Sequence, residues 1–150
     1  MPWTKSGAMS KRRNSLANHT DTHPHCARVS EARVQRELRN VEELLAAEGL
    51  AIARPAYFRP PFGEYDRGVV NAAAERGYRT VHWSATTDDY NLRRDPTAAA
   101  RSVLKRVAPG GIILMHATNV SRWMLPTLLD DLAGRGYEVV SLHQMLKIAH

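Results

Sequence analysis

The sequence predicts an α/β fold in which about five parallel strands alternate with helices. Three observations carry that expectation. Segments with helical spacing of apolar residues alternate with short runs rich in β-branched, aromatic or aliphatic residues. Capping residues and breakers stand at the segment ends, and polar, chemically capable side chains follow each predicted strand. Helical connections between consecutive strands imply right-handed crossovers and hence a parallel sheet.

Taken in order, residues 2–12 suit a short helix with Pro2 in its first turn, and Ser15-Leu16-Ala17 is an apolar fragment leading into a histidine-rich loop. Ser30 is a suitable N-cap for a helix whose buried face is marked by Val34, Leu38, Val41 and Leu45, with Gly49 as its stop. Ala56-Tyr57-Phe58 reads as a strand cut off by Pro60-Pro61. Asp66 caps a second helix closing at Gly77, and Arg79 to Trp83 has the content of a strand. Asp95 and Pro96 fit the N-cap and first position of a helix that buries Val103, Leu104 and Val107 and ends at Pro109-Gly110-Gly111. Ile112 to Met115 is a continuous apolar run, expected of a strand covered on both faces. Leu125, Leu128, Leu129 and Leu132 mark another helix, Tyr137 to Leu142 another strand, and a short helix follows.

With 150 residues, the chain is one domain by length and large enough for a sizeable core. It contains no apolar run of about 18 residues and no charged-then-apolar leader, so neither a membrane span nor a signal peptide is expected. The single cysteine, Cys26, allows no intrachain disulfide. The net charge of +6 and the Lys11-Arg12-Arg13 cluster could draw polyanions, but no recognition helix or aromatic-basic motif supports a nucleic-acid module.

Asn18-His19-Thr20-Asp21-Thr22-His23-Pro24-His25 concentrates three histidines, two of them four residues apart. Imidazoles at that spacing can converge on one Zn²⁺ when the backbone curls, and the same stretch also suits a hydrogen-bonded surface turn. Further along, Arg59, the Thr86 to Tyr90 loop with Asp88 and Asp89, and His116 each follow a predicted strand. In parallel α/β folds, groups at the carboxyl ends of strands share one rim.

In this order, the motifs resemble the polysaccharide deacetylase family, carbohydrate esterase family 4 with its NodB-homology domain. His19-Thr20-Asp21-Thr22-His23 is similar to the family's His-Ser/Thr-x-x-His, Arg59-Pro60-Pro61-Phe62-Gly63 to its Arg-x-Pro-Tyr, and Leu114-Met115-His116 to its Leu-x-His. The resemblance implies a partial, TIM-like (β/α) barrel, residues 1–150 forming a single N-terminally incomplete domain, and hydrolysis of N-acetyl groups on N-acetylglucosamine polymers such as peptidoglycan or chitin. It implies that His19 and His23 ligate a divalent metal, usually zinc, and that His116 protonates the departing amine. By the same resemblance Asp89 orients His116, the Phe62 backbone N–H meets the oxyanion, Tyr90 and Leu114 line the acetyl-methyl pocket, and Arg59 corresponds to the arginine that holds the family's catalytic base, expected here to face an empty partner position.

Two departures accompany the likeness. The family's Asp-x-x-Asp-Trp stands as Thr86-Thr87-Asp88-Asp89-Tyr90, and its Thr-Phe-Asp-Asp-Gly, which carries the base and a third metal ligand, has no counterpart before residue 18. This chain alone is therefore expected to be weak or inactive, with a non-catalytic glycan-binding remnant as the alternative reading. A sheet of about five strands also leaves open an edge that the family's barrel of about seven closes, which self-association could cover. The family usually works in the cell envelope or outside the cell. Asp21 and Asp88 are expected to stabilise turns, His25 to be a loop residue, and Trp83 and Trp123 to be core.

Overall fold

Four helices begin where a short polar side chain accepts a backbone N–H of the first turn, which satisfies one of the donors a helix leaves orphaned there. In the computed structural model, which describes residues 15–148, Ser30 accepts from Arg33 at the start of α1 (Glu31–Ala47), and Asp66 from Val69 at the start of α2 (Arg67–Glu75). Asp95 accepts from Ala98 ahead of α3 (Pro96–Leu104), and Thr118 from Ser121 ahead of α4 (Asn119–Gly134). A fifth helix, α5, covers Leu142–Ile148. The expected helix at residues 2–12 lies outside the described residues.

The chain divides into two compact units, Met1–His82 and Trp83–His150. In the first, β1 (Ala56–Phe58) lies beside β2 (Tyr78–Thr80) in parallel, with Phe58 opposite Thr80. Along its other side, Asn18 forms a parallel bridge to Phe58, its N–H donating to the Tyr57 carbonyl (2.9 Å) and its carbonyl accepting from Arg59 (3.0 Å). All three β1 residues are buried between these neighbours. Val34 and Leu38 of α1 and Val69, Ala72 and Ala73 of α2 pack with Cys26, Phe58 and Tyr78 into one core. Alanines at the α2 contact let helix and strand approach closely. Burial pushes the Cys26 thiol up to about 11, so it acts here as a small apolar side chain.

In the second unit, β3 (Ala85–Thr86) pairs in parallel with β4 (Ile113–Leu114), Thr86 opposite Leu114. The core joins Ala99, Ala100, Val103 and Leu104 of α3 to Val120, Met124, Leu128 and Leu132 of α4. Leu125 and Leu129 fall on the exposed side of α4.

The alternation of helices with parallel strands agrees with the expectation, and several details differ from it. Among the described residues there are four strands in two pairs plus the Asn18 bridge, rather than about five strands. Residues 137–141 lie outside any sheet, with Val139 exposed and the Tyr137 hydroxyl donating to the Val107 carbonyl (3.4 Å). The strand expected at Arg79 to Trp83 stops at Thr80, and pairing resumes at Ala85 with a different partner. The helix expected to reach Pro109 ends at Leu104. Ile113 and Leu114 are half-buried rather than covered on both faces. Trp123, expected in the core, is 71% exposed, with Arg122 lying over its ring.

Leu38 is fully buried, and its carbonyl also accepts the Asn18 side-chain amide (2.9 Å). Leu38→Ala should destabilise the chain by about 2–5 kcal/mol, since the cavity adds to the lost transfer energy. Urea unfolding measures this, and a loss below about 1 kcal/mol would mean that the site collapses freely or is not packed as described.

Candidate functional site

The backbone of the histidine loop bends against its own preference. Thr20 has φ +69° and His23 +56°, left-handed values that are uncommon for such residues. Side chains hold the bend: the Thr20 N–H donates to Asn18 Oδ1 (3.0 Å) and the His23 N–H to Thr20 Oγ1 (3.2 Å). Glu37 of α1 accepts the N–H groups of Asp21 (3.0 Å) and Thr22 (2.7 Å) and the Thr22 hydroxyl (2.8 Å). Asn18 is itself fixed through Tyr78, whose hydroxyl accepts from the Asn18 amide (3.1 Å) and donates to Glu42 (2.7 Å). Burial, with Glu42 alongside, pushes that phenol up to about 12, so it remains a donor.

Within this loop the His19 and His23 rings stand 5.0 Å apart, centroid to centroid, at 84°. His19 Nδ1 lies 2.5 Å from the Arg59 carbonyl oxygen. A carbonyl only accepts, so Nδ1 carries a proton at this contact. Arg59 is placed by the backbone pairing of its N–H with Asn18, and burial lowers its guanidinium from the ordinary value.

Phe62 follows in the Pro61–Gly63 turn with φ +57°. Its half-exposed ring meets His23 edge-on (4.6 Å) and stacks on His25 (4.1 Å, 9°). His25 thus joins this cluster rather than being a bare loop residue, its Nδ1 2.9 Å from Glu64.

In the second unit the centre is Asp89, a fully buried carboxylate just after β3. It accepts the His116 N–H (2.6 Å) and lies 2.8 Å from His116 Nδ1, while the Ser121 hydroxyl donates to Oδ2. Burial alone would raise this carboxyl, but the hydrogen bonds from His116 and Ser121 outweigh it and hold Asp89 below its ordinary value. An ionised Asp89 fixes the proton of His116 on Nδ1 and leaves Nε2 for proton exchange. The Tyr90 ring lies 6.3 Å from that of His116 at 90° and is largely exposed. Leu114 contributes its carbonyl as acceptor for the buried Thr87 N–H and hydroxyl (each 3.3 Å). Asp88, at φ +51°, pairs with Arg94 (3.6 Å), in keeping with a turn residue.

The structure therefore gathers His19, His23, Arg59 and Phe62 in one unit and Asp89, Tyr90, Leu114 and His116 in the other. All four non-glycine residues with positive φ among the described residues, Thr20, His23, Phe62 and Asp88, fall inside three of the motif segments. Strain of this kind persists where surrounding contacts over-determine it, as functional loops do.

A match to the polysaccharide deacetylase family model spans residues 2–81, just over half of the chain. The chain belongs to the polysaccharide deacetylase family. It is 30% identical to a Bacillus cereus peptidoglycan-N-acetylglucosamine deacetylase over 88% of its own length and 49% of the relative's. It is 29% identical to a Bradyrhizobium chitooligosaccharide deacetylase over 88% of its own length and 66% of the relative's. Among solved structures, a carbohydrate esterase family 4 pseudoenzyme from Bacillus anthracis superposes with a TM-score of 0.79 at 28% identity, covering 87% of this chain and 45% of that one. A Streptomyces lividans family 4 carbohydrate esterase in complex with acetate gives 0.77 at 27%, covering 87% and 66%. The chain thus spans about half to two thirds of the length of these relatives, and its fold is that of a part of the family's barrel.

Three residues that build the site carried no role in the sequence motifs. Glu37 stood out only as a charge on the buried face of α1, between Val34 and Leu38. Ser121 follows its cap residue Thr118 by three positions, and Asn18 precedes the histidine motif by one. All three are buried polar groups, and burial of a polar side chain is the signal that finds them.

The lowered Asp89 carboxyl has a measurable consequence. Its contribution to stability is complete above the unfolded value of about 4 and is lost as pH falls through the lower folded value. Between about pH 2 and 5 the urea midpoint of the wild type should therefore fall more steeply than that of Asp89→Asn. Parallel acid limbs would show that Asp89 is not held ionised.

Proposed function

We propose that this chain is a polysaccharide deacetylase domain that hydrolyses N-acetyl groups on an N-acetylglucosamine-containing polymer such as peptidoglycan or a chitin-like chain, weakly when it acts alone. The observation that supports this reading is shared by two imidazoles: in both His19 and His116, a protein oxygen orients the ring through Nδ1. A ligand or acid histidine is characteristically oriented in this way by its second nitrogen.

His19 and His23 fit two positions of a divalent-cation site, zinc being the metal their nitrogen donors suit. Among the described residues, no group of three or more His, Cys, Asp or Glu side chains completes a set. Such a cation supplies Lewis-acid polarisation of the acetyl carbonyl and a bound water with pKa lowered toward about 7. Phe62, held at φ +57°, offers its backbone N–H to the oxygen that gains charge as water adds. His116 delivers a proton from Nε2 to the departing amine as the carbon–nitrogen bond breaks, and Asp89 stabilises the imidazolium before that transfer. Tyr90 and Leu114 bound the space for the acetyl methyl, and Arg59 keeps a charge beside the histidine loop. Acetate and a free amine are the products.

With two protein ligands rather than three, cation affinity and water activation are both reduced, which is why the activity is expected to be low. A non-catalytic, glycan-binding role is favoured by the same incomplete set and by the likeness to a pseudoenzyme.

Acetate release from N-acetylglucosamine oligosaccharides, with added zinc and with chelator, tests the reading. Slow, zinc-dependent release is expected, reduced by about 10²–10⁴-fold in His116→Ala. Saccharide binding indifferent to chelator, with no acetate released, would establish the glycan-binding alternative. Rapid release that chelator leaves intact would contradict both.

A further inference from the structure

Glu37 occupies a position in α1 that its neighbours Val34 and Leu38 mark as core-facing, and it is 1% exposed. Acidic side chains are almost never buried so completely unless they are paired. One partner is Arg33, a turn earlier on the same helix, whose Nε and Nη2 lie 2.9 and 2.6 Å away. That pair lies within α1, and Arg33 also reaches the Thr22 hydroxyl (3.4 Å). The remaining bonds cross to the histidine motif: the N–H groups of Asp21 and Thr22 and the Thr22 hydroxyl all converge on this one carboxylate. These donors lie between His19 and His23, and the segment is bounded by the left-handed residues Thr20 and His23.

We propose that Glu37 is the positioning residue of the imidazole pair: its buried carboxylate clamps the peptide between His19 and His23 and thereby sets the separation and angle of the two rings. The inference rests on the proposed reading of these histidines as cation ligands for its functional meaning, but not for its geometry. Two loop N–H groups and a hydroxyl would lose one shared anionic acceptor if the carboxylate were replaced. Among the described residues the other side chains bonded to Asp21, Thr22 or the Thr20 N–H offer less: Asn18 holds the Thr20 N–H, Asn40 the Asp21 side chain (2.9 Å) and Arg33 the Thr22 hydroxyl (3.4 Å). The clamp also works through backbone groups, so the identities of residues 21 and 22 matter less than the charge and reach of residue 37.

The test uses the full chain and Glu37→Gln, which preserves shape and removes the charge. In the variant, NOEs between the His19 and His23 rings should disappear, and zinc affinity measured with the metal alone should fall 10–100-fold in the folded fraction, whatever the change in thermal midpoint. A residue that only supports the fold would lower the midpoint and leave ring NOEs and zinc affinity in the folded fraction unchanged, and that result overturns the proposal. Should the variant fail to fold, hydrogen exchange in the wild type decides: slow exchange of the Asp21 and Thr22 amides supports the clamp, and free-loop rates overturn it. If wild-type zinc binding is absent, the cation reading fails, while the NOEs and exchange rates still judge the clamp.

Discussion

A buried carboxylate that accepts hydrogen bonds from a neighbouring loop is the interaction on which each unit depends. Glu37 does this for the histidine loop and Asp89 for the segment at His116. The magnitudes show why it prevails. Two left-handed residues cost about 1–3 kcal/mol each, and desolvating the carboxylate costs several more. Hydrogen bonds to a charged group return about 1.5–3 kcal/mol each, and Glu37 gathers three from the loop besides those of Arg33. Removing the acceptor alone would take from the Asp21 and Thr22 donors their protein acceptor and leave the strain unopposed.

The same device gives the two units complementary chemistry. In the first, the loop backbone is fixed and the imidazoles are carried on it, with His19 tied at Nδ1 by the Arg59 carbonyl. In the second, the imidazole is held directly, Asp89 taking both its Nδ1 and its backbone N–H, while Ser121, whose own N–H is capped by Thr118 at the start of α4, donates its hydroxyl to Oδ2. Under the proposed reading, one arrangement serves ligation and the other proton delivery. Membership of a deacetylase family gives these arrangements a common context, and the likeness to both esterase and pseudoenzyme structures shows that the fold persists in proteins with and without activity.

Much of this was legible in the letters. Caps at Ser30, Asp66 and Asp95 announced their helices because a short side chain before a periodic apolar run has few other uses. His19, His23, Asp89 and His116 were legible as motif residues, and Asp89, expected to orient His116, lies 2.8 Å from its Nδ1. What escaped were features set by tertiary pairing. Tyr137 to Leu142 has strand-like residues, yet among the described residues no neighbour completes a ladder with it. Ala85 and Thr86 looked like loop but pair with β4, and the exposure of Trp123 depends on which side of α4 the core lies. Glu37 could not be assigned its partners, because a helix position says that a side chain points inward without saying which loop meets it.

The central claim is that the strained loop presents His19 and His23 together, through ring nitrogens, to one divalent cation. X-ray absorption at the zinc edge, on full-length chain loaded with one equivalent of zinc, tests it most directly. Two imidazole nitrogens at about 2.0–2.1 Å, with one lost in each of His19→Ala and His23→Ala, are predicted. A zinc environment of oxygen alone, or one that both substitutions leave unchanged, would contradict it.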